Sequence, residues 1–309
     1  MAANSFSRVT VAASRSPGIP SWAPSDNPLT RAKIDLSRKL FFDRRLSRNG
    51  TFSCAMCQVP EQGFTNHELA TAVGIEGRTV RRNSPTIYNV AYAKRLFHDG
   101  REHWLEQRVW GPLLAANEMG NPSADGSIER IGTLSDYGGL FEKAFEDMGL
   151  GKETLGMALA GYQRTLVSGN SAFDRWYFGS EEAAVSEAAA RGFRLFSGWA
   201  RCATCHLVDR DHALFTDDQL HNTGIGSLHR RAAGGQVEVA PGTVVELDEV
   251  FLAPISEIPP GDFGLYEITG NPLDRWKYRT PLLRNVALTR PCMHDGSLGT
   301  HQRFPIARR

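Results

Sequence analysis

Two Cys-x-x-Cys pairs, Cys54/Cys57 in SCAMCQ and Cys202/Cys205 in RCATCH, stand 148 residues apart in a chain of 309 and hold four of its five cysteines. That spacing suits haem attachment, zinc binding or dithiol chemistry, whereas a disulfide framework would be unusual at this length. Each pair follows a Leu-Phe dipeptide, Leu40-Phe41 and Leu195-Phe196. The chain therefore reads as a diverged duplication, one helical unit per cysteine pair.

RCATCH is a complete haem-attachment motif. Its two thiols can add to the two vinyl groups of one porphyrin while the adjacent His206 supplies an imidazole to the iron. Zinc would want two further ligands in a second cluster, and Cys292 stands alone; a dithiol pair would sit in a βαβ pattern, which this sequence lacks. Haem c is the better reading here. SCAMCQ ends in Gln58 where the motif has histidine, and on its own it is compatible with a dithiol, a chance pair or an altered haem site.

Proline, glycine and serine dominate residues 15 to 28, so residues 1–26 read as an extended lead-in. Apolar spacing at Ile34, Leu36, Leu40 and Phe41, with Thr30 as N-cap, predicts a helix there. Further helices are predicted at 101 to 115, 138 to 147, 153 to 167 and 181 to 197, and the best strand candidate is 237 to 252. The fold class expected is mainly α. A net charge of +1 with 22% charged residues gives no sign of a nucleic-acid partner, and no apolar run reaches the roughly 20 residues of a membrane span. The first 25 residues lack the pattern of a signal peptide, which on its face indicates a cytosolic product.

The sequence from NPLTRAKIDLSRKLFF through PEQGFT, RRNSPTIYN, FHDGR, LEQ and NEMG, then LFSGWARCATCH, FTDDQLHNTGIG, TGNPLDRWKYRTPLLRNVALTRP and MHDGSL, resembles the diheme cytochrome c peroxidase and MauG superfamily, in order, over roughly residues 27 to 298. The resemblance implies two cytochrome c-like haem domains, 27–170 peroxidatic and 178–309 electron-transferring, with the haems near their interface. It implies two covalently bound haem c groups, one held by Cys54 and Cys57 and the other by Cys202, Cys205 and His206. Gln107 in LEQ and Glu118 in NEMG match the distal polar pair. A carboxylate there makes chemical sense, because heterolytic O–O cleavage needs a proton moved from the inner to the outer peroxide oxygen. A calcium ion between the domains is implied at Asn83, Thr289 and Pro291, all oxygen donors of the kind a hard cation takes. His294 matches the family's histidine near the electron-transfer haem, and His98 stands where many members place a tryptophan between the haems.

The implied partners are hydrogen peroxide and a small electron-donor protein, a cytochrome c or a cupredoxin, and a homodimer is compatible with the family. The implied location is the periplasm, with the leader lost to a late start. Three departures bear on function. Gln58 replaces the proximal histidine of the first haem with a weak donor. Ile75 replaces the loop histidine that blocks the resting site in many peroxidases, as in open, MauG-like members that oxidise a partner protein's residue. After MHDGSLGT, the helix carrying the second haem's Met or Tyr ligand gives way to HQRFPIARR, where Pro305 disfavours a helix. A non-catalytic or impaired haem-binding electron-transfer protein, truncated at its end, is the alternative these departures support.

Overall fold

A computed structural model describes residues 26–226, 236–240, 243–246 and 262–299. Helix α1, Arg31–Phe42, starts where expected: the Thr30 hydroxyl accepts from the Lys33 N–H at 3.2 Å, and Ile34, Leu36, Leu40 and Phe41 are all buried. Its partner is α6, Lys152–Thr165, whose small residues Ala158, Ala160 and Gly161 let the two backbones approach; an added Cβ at Gly161 would lie 3.5 Å from the Ser37 side chain. A second close approach places α2, Leu105–Arg108, across α6, since a Cβ at Gly156 would come within 2.8 Å of the Glu106 carbonyl oxygen. Helices α3 (Trp110–Leu114), α4 (Ala124–Gly132) and α5 (Leu140–Phe145) complete the surround of one core that includes Leu36, Leu40, Leu113, Phe141 and Leu155.

The region expected as one helix at 101 to 115 is two short ones. Val109 lies between α2 and α3, and Pro112, in the first turn of α3, has no N–H to continue a ladder from α2. Beyond α6 the chain forms α7 (Ala172–Tyr177), α8 (Glu187–Ser197) and α9 (Tyr266–Thr269). Sheet is minimal: β1 (Leu220–His221) pairs antiparallel with β4 (Tyr278–Arg279), and β2 (Gln236–Ala240) with β3 (Thr243–Glu246). The two strands meet the strand expectation over 237 to 240 and 243 to 246, and the rest of 237 to 252 lies outside the described residues. The molecule is thus mainly helical.

Two ion-pair systems, one half-buried and one buried, knit distant segments. Arg82 pairs with Asp99 and, through Nε and Nη2, with Asp262 at 2.6 and 2.7 Å. Burial alone would raise Asp262, but the Arg82 hydrogen bonds and charge hold its carboxyl well below the usual range. Arg284 grips Asp174 of α7 through two bonds at 2.8 and 2.7 Å, and its Nε donates to the Ala213 carbonyl at 2.7 Å. Around α7 and α8 the aromatic rings of Phe173, Tyr177, Phe193 and Phe215 pack mostly edge to face, with centroids of Phe173 and Phe193 5.0 Å apart.

Candidate functional site: two cysteine turns and a buried cavity

Each cysteine pair opens on a single 3₁₀ turn, Cys54–Met56 and Cys202–Thr204. In the first, the N–H groups of Cys57 and Gln58 both donate to the Cys54 carbonyl, at 3.2 and 3.0 Å; in the second, those of Cys205 and His206 donate to the Cys202 carbonyl, at 3.3 and 3.0 Å. The two turns share one hydrogen-bond pattern, which agrees with the duplication read from sequence. The sequences of the two turns differ at Met56 against Thr204 and, at the final residue, Gln58 against His206.

At the second turn, His206 Nδ1 donates to the Phe215 carbonyl at 2.8 Å. That bond fixes the tautomer and leaves Nε2 with its lone pair, the arrangement a metal-ligating imidazole needs. Burial holds His206 below its ordinary range and favours the neutral, ligating form. The residues therefore fit a haem c carried by Cys202, Cys205 and His206. Asp217 and His221, whose side chains join at 2.7 Å, bring their donor atoms within 4.8 Å of those of Cys205.

Cys54, Cys57 and Gln58 line a cavity whose apolar wall includes Phe41, Phe52, Ile87, Leu113, Met119 and Leu159. Burial, with the Glu118 charge adding to it, pushes the Cys54 thiol up to about 11 and Cys57 up to about 12. An apolar cleft with two thiols on its wall fits a tethered porphyrin. The axial half of the fit differs from the second site, because a carboxamide stands where the imidazole should be.

Glu118 lines the same cavity. Its backbone is held by the loop opposite: the Ile75 N–H donates to the Glu118 carbonyl at 2.9 Å, and a Cβ at Gly74 would lie 2.2 Å from the Asn117 oxygen. Ile75 itself is buried beneath Gly120, at 2% exposure, so its side chain anchors this loop and does not line the cavity. A second, more open lobe of about 320 Å³ shares Gln58, Arg108, Pro112 and Glu118 with the first, and includes Arg82, Asn83 and His98.

Gln107 does not belong to this site. It is exposed on α2, while the next residue, Arg108, is 7% exposed and faces both lobes. Successive residues on a helix point about 100° apart, so a one-residue offset in LEQR exchanges the inner face for the outer one. Arg108 and Gln163, joined by a 2.7 Å bond from Arg108 Nη1 to Gln163 Oε1, are the cavity residues the sequence reading missed. Their spacing of 55 in sequence carries no local pattern that could have revealed them.

Of the implied calcium donors, Asn83 is buried and central: its N–H donates to the His294 carbonyl at 2.7 Å, its Nδ2 to the Ala70 carbonyl at 2.9 Å, and its own carbonyl meets His98 Nε2 at 2.9 Å. Pro291 is buried and Thr289 half-buried on the segment that reaches His294. His294 stacks on Tyr278 with centroids 3.7 Å apart. Residues 300–309, where the second haem's further ligand was sought, lie outside the described residues.

Paired cysteine turns, one imidazole oriented for a metal and a carboxylate on an apolar cavity are the features of a c-type haem protein framework. The family model described as di-haem cytochrome c peroxidase matches residues 31–182. The chain is 37% identical over 278 residues to the methylamine utilization protein MauG of Methylorubrum extorquens, spanning 90% of this chain and 68% of that protein. It is 30% identical over 274 residues to the cytochrome c551 peroxidase of Pseudomonas aeruginosa, spanning 88% and 70%. The crystal structure of a MauG-like protein associated with microbial copper homeostasis superposes with a TM-score of 0.69 at 32% identity, covering 92% of this chain and 77% of that one. The chain belongs to the di-haem cytochrome c peroxidase and MauG family.

Proposed function

We propose that this protein is a di-haem c-type peroxidase that reduces hydrogen peroxide with electrons relayed from a donor protein. The observation that carries the reading is Glu118 placed on the cavity bounded by Cys54 and Cys57. Two cytochrome c-like domains, divided between 170 and 178, would each tether one haem, through Cys54 and Cys57 and through Cys202 and Cys205, with His206 on the second iron. The haems supply the electrons that peroxide takes up. Glu118 accepts the proton of the inner peroxide oxygen and returns it to the outer one, so that the departing oxygen leaves as water. The apolar wall of Phe41, Phe52 and Leu159 excludes bulk water from that transfer. Gln107, on the exposed face, takes no part.

Asn83 with the backbone of Thr289 and Pro291 would hold calcium between the domains: the Asn83 amide nitrogen is spent on Ala70, and its oxygen is the hard donor that remains. The family supports a periplasmic setting with a small cytochrome c or cupredoxin as donor, and a homodimer is compatible with that setting.

Intact mass and a pyridine haemochrome assay on exported protein should show two covalent haems. Glu118→Gln should then lower peroxide consumption about 10²- to 10⁴-fold, the usual contribution of a positioned acid–base group. Peroxide turnover untouched by that change would refute the role of Glu118. A second reading, oxidation of an aromatic residue on a partner protein, is favoured by Ile75 lying buried where a blocking histidine would stand. A partner residue modified after peroxide treatment, found by mass spectrometry, would select it.

A further inference from the structure

Three arginines at low exposure in this protein hold carboxylates. Arg82 holds Asp99 and Asp262, Arg164 holds Glu106, and Arg284 holds Asp174. Arg108 is as deeply buried, and no carboxylate pairs with it among the described residues. Its Nη1 bonds the neutral amide of Gln163, and its Nε is buried with no partner among the described residues. Burial lowers it to about 10, with the nearby Arg279 charge pushing the same way and the Glu118 charge opposing both, so it remains a cation at neutral pH. A desolvated guanidinium that keeps one N–H unpaired and has no carboxylate within bonding reach among the described residues loses the free energy of that missing bond. The group that relieves this cost must be small and must enter through the two lobes that Arg108 lines.

We propose that Arg108 is an anion receptor in the peroxide cavity, binding small oxyanions and halides, such as formate and fluoride. The inference rests on the cavity being the peroxide site and adds a specificity-determining residue to it. A guanidinium with an uncommitted N–H donates a charge-assisted hydrogen bond to a negative oxygen more strongly than to a neutral one. A small anion is therefore held better than the neutral peroxide that enters. The same preference makes formate and fluoride competitors for the cavity.

The test uses the exported protein with its haems counted by intact mass. Sodium formate and sodium fluoride are titrated, read both by the Soret band and by isothermal titration calorimetry. Arg108→Gln should weaken binding of both anions roughly 10- to 100-fold, the loss of one hydrogen bond to a charged group. Arg108→Lys, which keeps the charge with fewer donors, should fall between. Arg130→Gln removes another buried Nε that lacks a partner among the described residues, away from the cavity, and should leave both affinities unchanged. Equal affinity in wild type and Arg108→Gln would overturn the proposal and assign the guanidinium to a haem propionate. Absence of anion binding to the wild type would overturn it as well. A single haem by mass would defeat the di-haem reading, while the calorimetric arm would still decide whether Arg108 binds anions.

Discussion

Arg284 is the residue whose loss the structure prices most clearly. Its side chain is 6% exposed and that of Asp174 is 0% exposed. Arg284→Met keeps the length and apolar stem, but leaves Asp174 buried with only the bonds from Ser171 and strips the Ala213 carbonyl of its donor. Breaking a buried pair from one side costs about 3–5 kcal/mol. At roughly 2–4 °C per kcal/mol for a chain somewhat smaller than this one, the midpoint should fall by on the order of 10 °C. Thermal unfolding followed by far-ultraviolet circular dichroism measures it. The double variant Asp174→Leu with Arg284→Met removes both charges and should recover most of the loss, giving a coupling energy of at least about 2 kcal/mol. Ala213 lies two residues before Phe215, whose carbonyl orients His206, so Arg284→Met should also perturb the visible spectrum of the second haem. A single variant as stable as wild type, or a double variant that is merely additive, would refute this account.

His98 is lowered to about 3, chiefly by burial. Its folded value lies below the unfolded value of about 6.5, so the folded state binds fewer protons; stability is complete above pH 6.5 and declines as pH falls, by up to about 1.4 kcal/mol per unit, until the folded value is reached. Urea unfolding at pH 7 and pH 5 should show that loss, and His98→Gln should flatten it; a loss unaltered in the variant would assign it elsewhere. Gln58→His should place a strong neutral donor at the first haem and raise peroxide turnover, and turnover left unchanged would mean that the donor at this position does not limit the reaction. Chelation by EGTA should lower the unfolding midpoint of wild type but not of Asn83→Ala, and identical responses would argue against calcium at Asn83.

The parts of the fold written in local chemistry were legible. Thr30 capping, the apolar stripe of α1 and the helix at α6 follow from spacing, and both cysteine turns are set by their own motif. The parts set by register or by distance were not. Gln107 was read as a cavity residue because LEQ was placed one position out, and neither α4 nor α7 carries a long enough apolar period to be noticed. Asp262 lies 180 residues from Arg82, and no sequence pattern links them. Glu118 was legible only through the family resemblance: an isolated glutamate before Met-Gly has no intrinsic mark of catalysis.

The Arg82 pairing also bears on ancestry. If two copies of one haem unit gave rise to this chain, the copies have since stopped being exchangeable. Arg82 descends with the first unit and Asp262 with the second, and they meet in a setting only 12% exposed on either side, where salt screens little. A chimera that grafts either unit onto a foreign partner would bury one of these charges alone. Shuffling such proteins by halves should therefore succeed only when positions 82, 99 and 262 travel as a set.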